Sequence, residues 1–316
     1  MSGSSPPPRR TSSRRARVSS YVRERASGEG SALSRLKLAL AVRGLAPRRR
    51  YGQNFLIRED LAGRIVQHCH LREDDVAVEI GPGAGALTAL LAQRVRHLIA
   101  VEKDSGLVEL LRDELAELPR IEILEGDFLE FDLASTAAAH GVRRLVVVGN
   151  IPYNITTPLL ERIFEQRASV RNAVLLVQKE YAARLSAAAG TPEYGSLTLF
   201  ARYHSLMEPL MPVRASAFWP RPEVDSMLVR FFLRERPPVA VPSEELLFRI
   251  IRGSFQMRRK QLVNTLEESL GIGKDAVERL CRAAGVDPRR RGETLTLDEF
   301  AKLAQEAPGE DRKERD

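Results

Sequence analysis

The chain has 316 residues, 49 of them Lys or Arg against 42 Asp or Glu, with two cysteines and one tryptophan. This length fits one large domain with a small companion, and 43% hydrophobic with 29% charged residues excludes a collagenous or wholly disordered chain. Cys69 and Cys281 are too few for a disulfide framework and suit a reducing compartment; the longest charge-free stretch, 145–160, is broken by Pro152 and Pro158 and gives no transmembrane helix.

The net charge of +7 belongs to the start of the chain. The first 50 residues carry twelve arginines and Lys37 against Glu24 and Glu29, and the remainder is net acidic. A partner read from net charge alone is therefore unsafe. Residues 1–46 are rich in Ser, Arg, Gly and Pro and have no sustained apolar period before about Leu33. They read as a disordered basic tail, with 33–42 able to form a short helix. An Arg- and Ser-rich organelle transit peptide and a misassigned start are the competing readings.

From Arg58 the pattern is periodic. Leu61, Ile65, Val66 and Cys69 predict a helix over 58–71, and Val76–Ile80 is a short apolar strand stopping at Gly81. A helix with Leu87, Leu90 and Leu91 follows, then a strand 97–101 ending at Glu102 and a helix 105–117. Strands 121–124 and 145–148 end at Asp127 and at Gly149-Asn150. Helix 157–166, strand 172–178 and helix 179–188 come next. Segments 197–206 and 225–233 read as two more strands, a closing antiparallel pair. After Pro237-Pro238 only helices are expected: 243–256, 258–269, 274–283 and 296–305.

Alternating strands and helices imply a mostly parallel sheet covered on both faces. The expected division is a Rossmann-like domain over 47–237, a helical domain over 238–308 and a disordered charged tail over 309–316. Glu79, Glu102, Asp127 and Asn150 are 23, 25 and 23 residues apart, each at or just past a strand's carboxyl end. Such ends form the ligand crevice of open α/β sheets.

Gly81, Gly83 and Gly85 follow a strand and open a helix, which lets backbone approach a ligand closely. The loop also satisfies G-x-G-x-x-A, so a nicotinamide enzyme is a reading to weigh. Glu102 can accept both ribose hydroxyls in either case. Asp127-Phe128 favours an adenosyl cofactor: the carboxylate accepts from an adenine amino group and the ring covers the base.

Gly149-Asn150-Ile151-Pro152-Tyr153-Asn154 is the most specific feature. The exocyclic amine of adenine is a poor nucleophile because its lone pair is delocalised into the ring. Two acceptors in the plane of its hydrogens would pull it towards a tetrahedral geometry and free that pair for in-line attack on a sulfonium methyl. The Asn150 amide oxygen and the Ile151 carbonyl can be those acceptors, with Pro152 fixing the carbonyl. Tyr153 offers a face for an extruded base. Phe218, at the head of a stiff Pro220 and Pro222 loop, would stack the base from the other side. No metal is expected; His68, Cys69 and His70 adjoin but their spacing suits none. Arg249, Arg252, Arg258, Arg259 and Lys260 form one acid-free run and Arg289, Arg290 and Arg291 another, both candidates for RNA contact.

Gly52-Gln53-Asn54-Phe55-Leu56, the glycine loop, Glu102, Asp127-Phe128, Asn150-Ile151-Pro152-Tyr153 and 218–226 occur in an order that resembles the rRNA adenine N6,N6-dimethyltransferases. Phe255 through Leu262, and Gly285 through Leu295, make the chain more similar to the KsgA-type small-subunit (16S) enzymes than to the Erm-type large-subunit ones. The resemblance covers about 48–306. It implies a class I S-adenosylmethionine-dependent methyltransferase with a seven-stranded sheet and a small C-terminal helical domain, acting in the cytoplasm on two adjacent adenosines of the 3′-terminal hairpin in an assembling 30S subunit. The long N-terminal extension leaves an organellar location as the alternative.

By matching positions, the resemblance implies that Asn54, Leu56, Gly81, Glu102, Asp127 and Asn150 touch the cofactor, with Asn54 and Leu56 on a lid, and that Tyr153 and Phe218 hold the base. Thr156 stands where Ser is frequent, a change expected to be harmless. The other functional readings are an Erm-type enzyme, a non-catalytic ribosome-assembly or transcription factor on the same fold, and a nicotinamide oxidoreductase.

Overall fold

The computed structural model describes residues 31–307, apart from Arg258 and the side chain of Arg49. Residues 1–30 of the expected 1–46 tail, and the whole of the expected 309–316 tail, lie outside the described residues. The remainder of the expected N-terminal tail is structured. Helix α1 (Ala32–Val42) is capped by the Ser31 hydroxyl, which accepts from Ser34 N at 3.2 Å. Its Ala39 and Leu40 are buried against Phe55, Leu107 and Leu110. Two ion pairs, Arg35–Glu59 and Arg43–Asp113, tie it down at either end. The short helix that 33–42 allowed is thus present one residue longer, and its apolar partners lie elsewhere in the chain.

A two-residue strand β1 (Phe55–Leu56) pairs with β8 (Phe218–Trp219) outside the main sheet. In that sheet, strands β2 (Val76–Ile80), β3 (His97–Glu102), β4 (Ile121–Glu125), β5 (Leu145–Asn150) and β6 (Val170–Gln178) are parallel. Strands β9 (Ser226–Leu233) and β7 (Ser205–Val213) close it antiparallel. The seven strands take the order β4-β3-β2-β5-β6-β9-β7.

Every residue of β2 is buried, and β5 is buried up to Asn150. Such continuous apolar runs are what a strand covered on both faces requires. Alternate residues feed two cores. Val147, Leu175 and Val78 pack on one side with α6 (Thr156–Glu165). Val146, Leu176 and Ala77 pack on the other with α2 (Glu59–His68) and α3 (Thr88–Ala92). Helix α4 (Ser105–Glu114) follows β3, and α5 (Leu133–Ala139) precedes β5.

One expected strand is a helix. Apolar content predicts an extended 197–206; instead α8 (Ser196–His204) follows α7 (Lys179–Ser186), and the strand begins at Ser205. Leu199 and Tyr203 pack into the C-terminal core while Ala201 between them packs into the sheet's core, a split that a helix allows and a strand, which would put all three on one face, does not. The strand that follows, β7, holds Pro209 and Pro212, and it lies at the sheet's edge, where a missing N–H costs no ladder bond.

The C-terminal helices are α9 (Glu244–Gln256), α10 (Leu262–Leu270), α11 (Lys274–Ala283) and α12 (Leu297–Glu306). The second of these starts four residues later than the expected 258–269 helix. Their core includes Tyr194, Leu199 and Tyr203, and Tyr194 donates to the Leu295 carbonyl at 2.7 Å. The helical layer thus takes part of its core from residues upstream of the expected boundary at 238.

Candidate active site

The sheet order reverses at β2, which has β3 on one side and β5 on the other. A cavity of about 470 Å³ opens at the carboxyl ends of these strands. Among the residues lining it are Asn54, Leu56, Gly81, Gly83, Gly85, Glu102, Asp127, Phe128 and Asn150, together with Ile151, Pro152 and Tyr153. The volume lies within the usual range for small-molecule sites.

The glycine loop fits a close ligand. Gly81 and Gly83 have φ of +59° and +61°, and a Cβ on Gly83 would meet the Phe55 ring at 3.1 Å. The Gly83 N–H donates to Glu102 Oε2 at 3.0 Å, and Asp104 N donates to Glu102 Oε1 at 2.9 Å. These bonds aim the carboxylate while leaving each oxygen further acceptor capacity. Burial raises the Glu102 pKa, and these N–H donors oppose the shift.

Asp127 is more firmly ionised. Burial pushes its pKa up, but the Lys103 ammonium at 2.5 Å and the Leu129 N–H at 3.0 Å together hold it below the ordinary carboxylate range. Phe128 is buried beside it. Deeper in the wall, burial lifts Glu79 to about 8, and its Oε2 is buried with no hydrogen-bond partner among the described residues. Raised so far, the carboxyl holds its proton at neutral pH, and its unpartnered oxygen on a wall of the cavity is what a polar group of a ligand would satisfy. Glycines without side chains, two carboxylates on successive strands, an aromatic ring and this orphaned oxygen fit an adenosyl cofactor.

The loop after β5 is held from three sides. Gly149 has no room for a side chain: a Cβ there would lie 3.1 Å from Ile80 Cβ and 3.2 Å from the Ile80 carbonyl. The Asn150 amide nitrogen donates to the Asn54 carbonyl at 2.9 Å, which leaves the amide oxygen as the group's acceptor. Pro152 sits at φ −60° and ψ 132°. The turn that follows closes from Ile155 N to the Pro152 carbonyl, so it does not use the Ile151 carbonyl. The Thr156 hydroxyl donates to the Tyr153 carbonyl at 3.1 Å, a bond that Ser could also make.

The Tyr153 hydroxyl lies 2.6 Å from the hydroxyl of buried Ser226. Burial, partly offset by Ser226, raises the phenol's pKa and keeps it protonated. Ser226 is the last residue of the 218–226 motif, and its part in fixing Tyr153 is a role the sequence reading missed.

Phe218 does not line the cavity. It is 2% exposed, pairs with Leu56 across β1 and β8, and packs with Ala62, Met211 and Val213. In this structure the ring packs beneath the 55–56 strand, because pairing with β1 turns it inward, and its service as a second stacking wall stays an expectation. Two further features escaped the sequence reading. Helix α1 contributes Ala32, Arg35, Leu36 and Ala39 to the cavity rim. Buried Asp104 joins Gln53 Nε2 at 3.1 Å and Arg48 Nη1 at 3.0 Å, linking the 48–54 segment to Glu102 through the backbone bond above. Gln53, beside Asn54 in the same motif, was the available signal for this link.

The two C-terminal basic runs meet in space. Leu262 N donates to the Arg290 carbonyl at 2.7 Å and Val263 N to the Pro288 carbonyl at 3.1 Å. This sets exposed Arg259 and Lys260 beside exposed Arg289 and Arg291. Arg258 lies outside the described residues. Arg290 differs from its neighbours in the free chain: its guanidinium binds Glu299, the Thr294 carbonyl at 2.6 Å and the Thr294 hydroxyl at 3.1 Å. It is a staple for the turn before α12, while its neighbours form a basic ridge. Among the described residues no helix is long and apolar enough to cross a membrane.

Comparison with known proteins agrees with this geometry. The family model "Ribosomal RNA adenine dimethylase" matches residues 44–307. A Ribosomal RNA small subunit methyltransferase A from Geobacillus thermodenitrificans is 42% identical over 275 residues, covering 85% of this chain and 94% of that protein. One from Geobacter metallireducens is 43% identical over 262 residues, covering 83% and 95%. Among solved structures, the 23S rRNA methyltransferase ErmE matches with a TM-score of 0.61 and 27% identity, over 80% of this chain and 99% of that one. A dimethyladenosine transferase from Plasmodium falciparum has a TM-score of 0.65 at 22% identity, over 78% and 94%, a likeness of fold. With a family match over nearly all the described residues and relatives over 40% identical across most of its length, the chain belongs to the ribosomal RNA adenine dimethylases and is a methyltransferase.

Proposed function

We propose that the chain transfers methyl groups from S-adenosylmethionine to the N6 amino groups of two adjacent adenosines in the 3′-terminal hairpin of small-subunit (16S) rRNA, on the assembling 30S subunit. The observation that carries this reading is the Asn150 amide. One of its two N–H groups donates to the Asn54 carbonyl, which fixes the amide's orientation and leaves its oxygen as the acceptor offered to a substrate amine.

When bound, S-adenosylmethionine supplies an electrophilic methyl group. Gly81, Gly83 and Gly85, with Asn54 and Leu56 above them, would cradle it. Glu102 would accept from the ribose, and Asp127, held ionised, from the adenine amino group, with Phe128 against the base. Asn150 and the Ile151 carbonyl accept from the two hydrogens of the target amine, Pro152 holds that carbonyl, and Tyr153 stacks the base. The amine proton leaves after attack, when the nitrogen is strongly acidic, so no tuned general base is needed beforehand. The ridge of Arg259, Lys260, Arg289 and Arg291 offers cations to the phosphate backbone.

The small-subunit assignment is supported by relatives named for that subunit, which share over 40% identity across more than 80% of the chain, against 27% for ErmE. In the test, labelled cofactor is incubated with unmethylated small subunits, with large-subunit rRNA and with Asn150→Ala as control, and the modified adenosines are mapped by mass. Label in two adjacent adenosines near the 3′ end of 16S rRNA is expected. Label confined to 23S rRNA would favour the Erm-type reading, and no label with the wild-type chain would leave only a binding role.

Replacing Arg259, Lys260, Arg289 and Arg291 by Ala is expected to weaken subunit binding at least tenfold at moderate salt. It should also flatten the plot of log affinity against log salt by up to about 0.9 for each phosphate that is no longer neutralised. Arg290→Ala should instead lower the melting temperature, since it removes the Glu299 and Thr294 bonds. An unchanged salt slope in the fourfold variant would remove the ridge from the RNA surface.

A further inference from the structure

A second cluster of ligating groups lies at the opposite end of the sheet. His97 begins β3 and Glu102 ends it, so the cluster is separated from the cofactor cavity by the strand's length, roughly 17 Å. His97 and Ile99 share a face of β3. Glu122 on β4 pairs with Ile99 in the parallel register, which places it diagonally beside His97 on that face. Helix α5 covers the same face through Leu133 and Ala137, and one turn past Ala137 the chain presents His140. Arg96 anchors this corner by donating to the His140 carbonyl at 2.6 Å.

The three side chains converge. Nε2 of His97 and Nε2 of His140 each lie 3.8 Å from the same oxygen, Glu122 Oε2. One ligand atom from each residue falls within 4.8 Å of the others. The two imidazole centroids are 4.6 Å apart with their planes at 30°. At 3.8 Å neither approach to Glu122 is a hydrogen bond. His97 Nε2 is in fact buried with no hydrogen-bond partner among the described residues. A buried ring nitrogen aimed at a second imidazole and a carboxylate, and satisfied by neither, is the specific observation that an ion pair does not explain.

We propose that His97, Glu122 and His140 bind a divalent transition-metal ion of the zinc class. Two imidazoles and one carboxylate are a recurrent donor set for such ions, whereas magnesium and calcium select oxygen-rich shells. Around a tetrahedral zinc with ligands at ~2.0–2.1 Å, donor atoms stand roughly 3.3 Å apart. The groups here need to close by about half an ångström to one and a half. The side chains of His97, Glu122 and His140 are 28%, 47% and 24% exposed, which leaves them room to rotate. The fourth position faces solvent and takes water. The ion adds +2 beside Arg96, offset by the Glu122 carboxylate and by the negative end of α5, whose last residue precedes His140. Its position, remote from the cavity, makes it a clamp joining β3, β4 and α5 rather than a participant in methyl transfer.

The test uses the full-length, tag-free chain stripped with chelator and titrated with zinc chloride by calorimetry. Cobalt(II) absorption serves as an independent reading of the coordination sphere. One equivalent of zinc should bind, with a rise in melting temperature that grows with zinc concentration. Cobalt should give visible bands of a nitrogen and oxygen shell. His140→Ala, at a partly exposed helix end, should lower zinc affinity at least tenfold and abolish the cobalt bands, and Glu122→Gln should weaken both. No saturable zinc binding by the wild-type chain would overturn the proposal. So would one equivalent bound undiminished by both His140→Ala and His97→Ala, since the ion would then sit elsewhere.

Discussion

Replacing Asn150 with Ala should lower the single-turnover rate of methyl transfer by about 10²–10³-fold, the usual cost of removing one preorganised polar group from a reacting centre. The cofactor's dissociation constant should change by no more than about threefold. The direction of the amide decides this. One N–H is held by the Asn54 carbonyl, which orients the amide so that its oxygen is the acceptor offered to the substrate amine. Asn150→Asp tests the same point from the other side. A carboxylate cannot donate to the Asn54 carbonyl, and two oxygens would face each other at hydrogen-bond distance. That variant should lose rate comparably and also loosen the Gly52-to-Leu56 segment, read as faster cofactor release. A fall in cofactor affinity as large as the fall in rate for Asn150→Ala would make Asn150 a cofactor anchor and remove it from the chemistry.

Tyr153→Ala should reduce kcat/KM for RNA by about 5–150-fold, the equivalent of ~1–3 kcal/mol of base stacking, with cofactor affinity nearly unchanged. Tyr153→Phe keeps the ring and loses only its tether to the Ser226 hydroxyl. It should retain most of the activity, and Ser226→Ala should match it. Combining the two should cost no more than either alone, because both remove the same bond. Turnover and cofactor affinity falling together in Tyr153→Ala would contradict a base-facing role.

The parallel half of the sheet and the cavity wall are legible in the sequence because each signal is local. Strands such as Val76–Ile80 are continuously buried, and the polar residues that end them recur at the interval of one strand–helix unit. Pro152 limits its own φ wherever the chain goes, and the observed −60° follows from its ring. Where sequence and structure part, the deciding contacts come from far along the chain. Residues 197–206 are apolar enough for a strand, but Leu199 and Tyr203 have partners in a helical layer built from residues after 240. The motif around Phe218 puts that ring at the substrate; its pairing with Leu56, some 160 residues earlier, buries it instead. Arg290 is the local exception: its partners Thr294 and Glu299 are only four and nine residues on, and the turn before α12 brings them within reach.

What the sequence by itself determined was the local frame of the cavity: carboxylates at successive strand ends, and an Asn-Ile-Pro-Tyr turn whose polar groups and backbone restriction are set by residue type over a few bonds. What only the tertiary structure decided was orientation and partnership. The amide of Asn150 has two faces until the Asn54 carbonyl selects one, and the phenol of Tyr153 is placed by Ser226, 73 residues away. His97, Glu122 and His140 are unrelated in sequence until the register of β3 with β4 and the end of α5 bring them to one corner. The physical reason is common to these cases: a local conformational preference acts along the chain, whereas a hydrogen bond or a ligand set requires groups that only the folded sheet carries to within a few ångströms of one another.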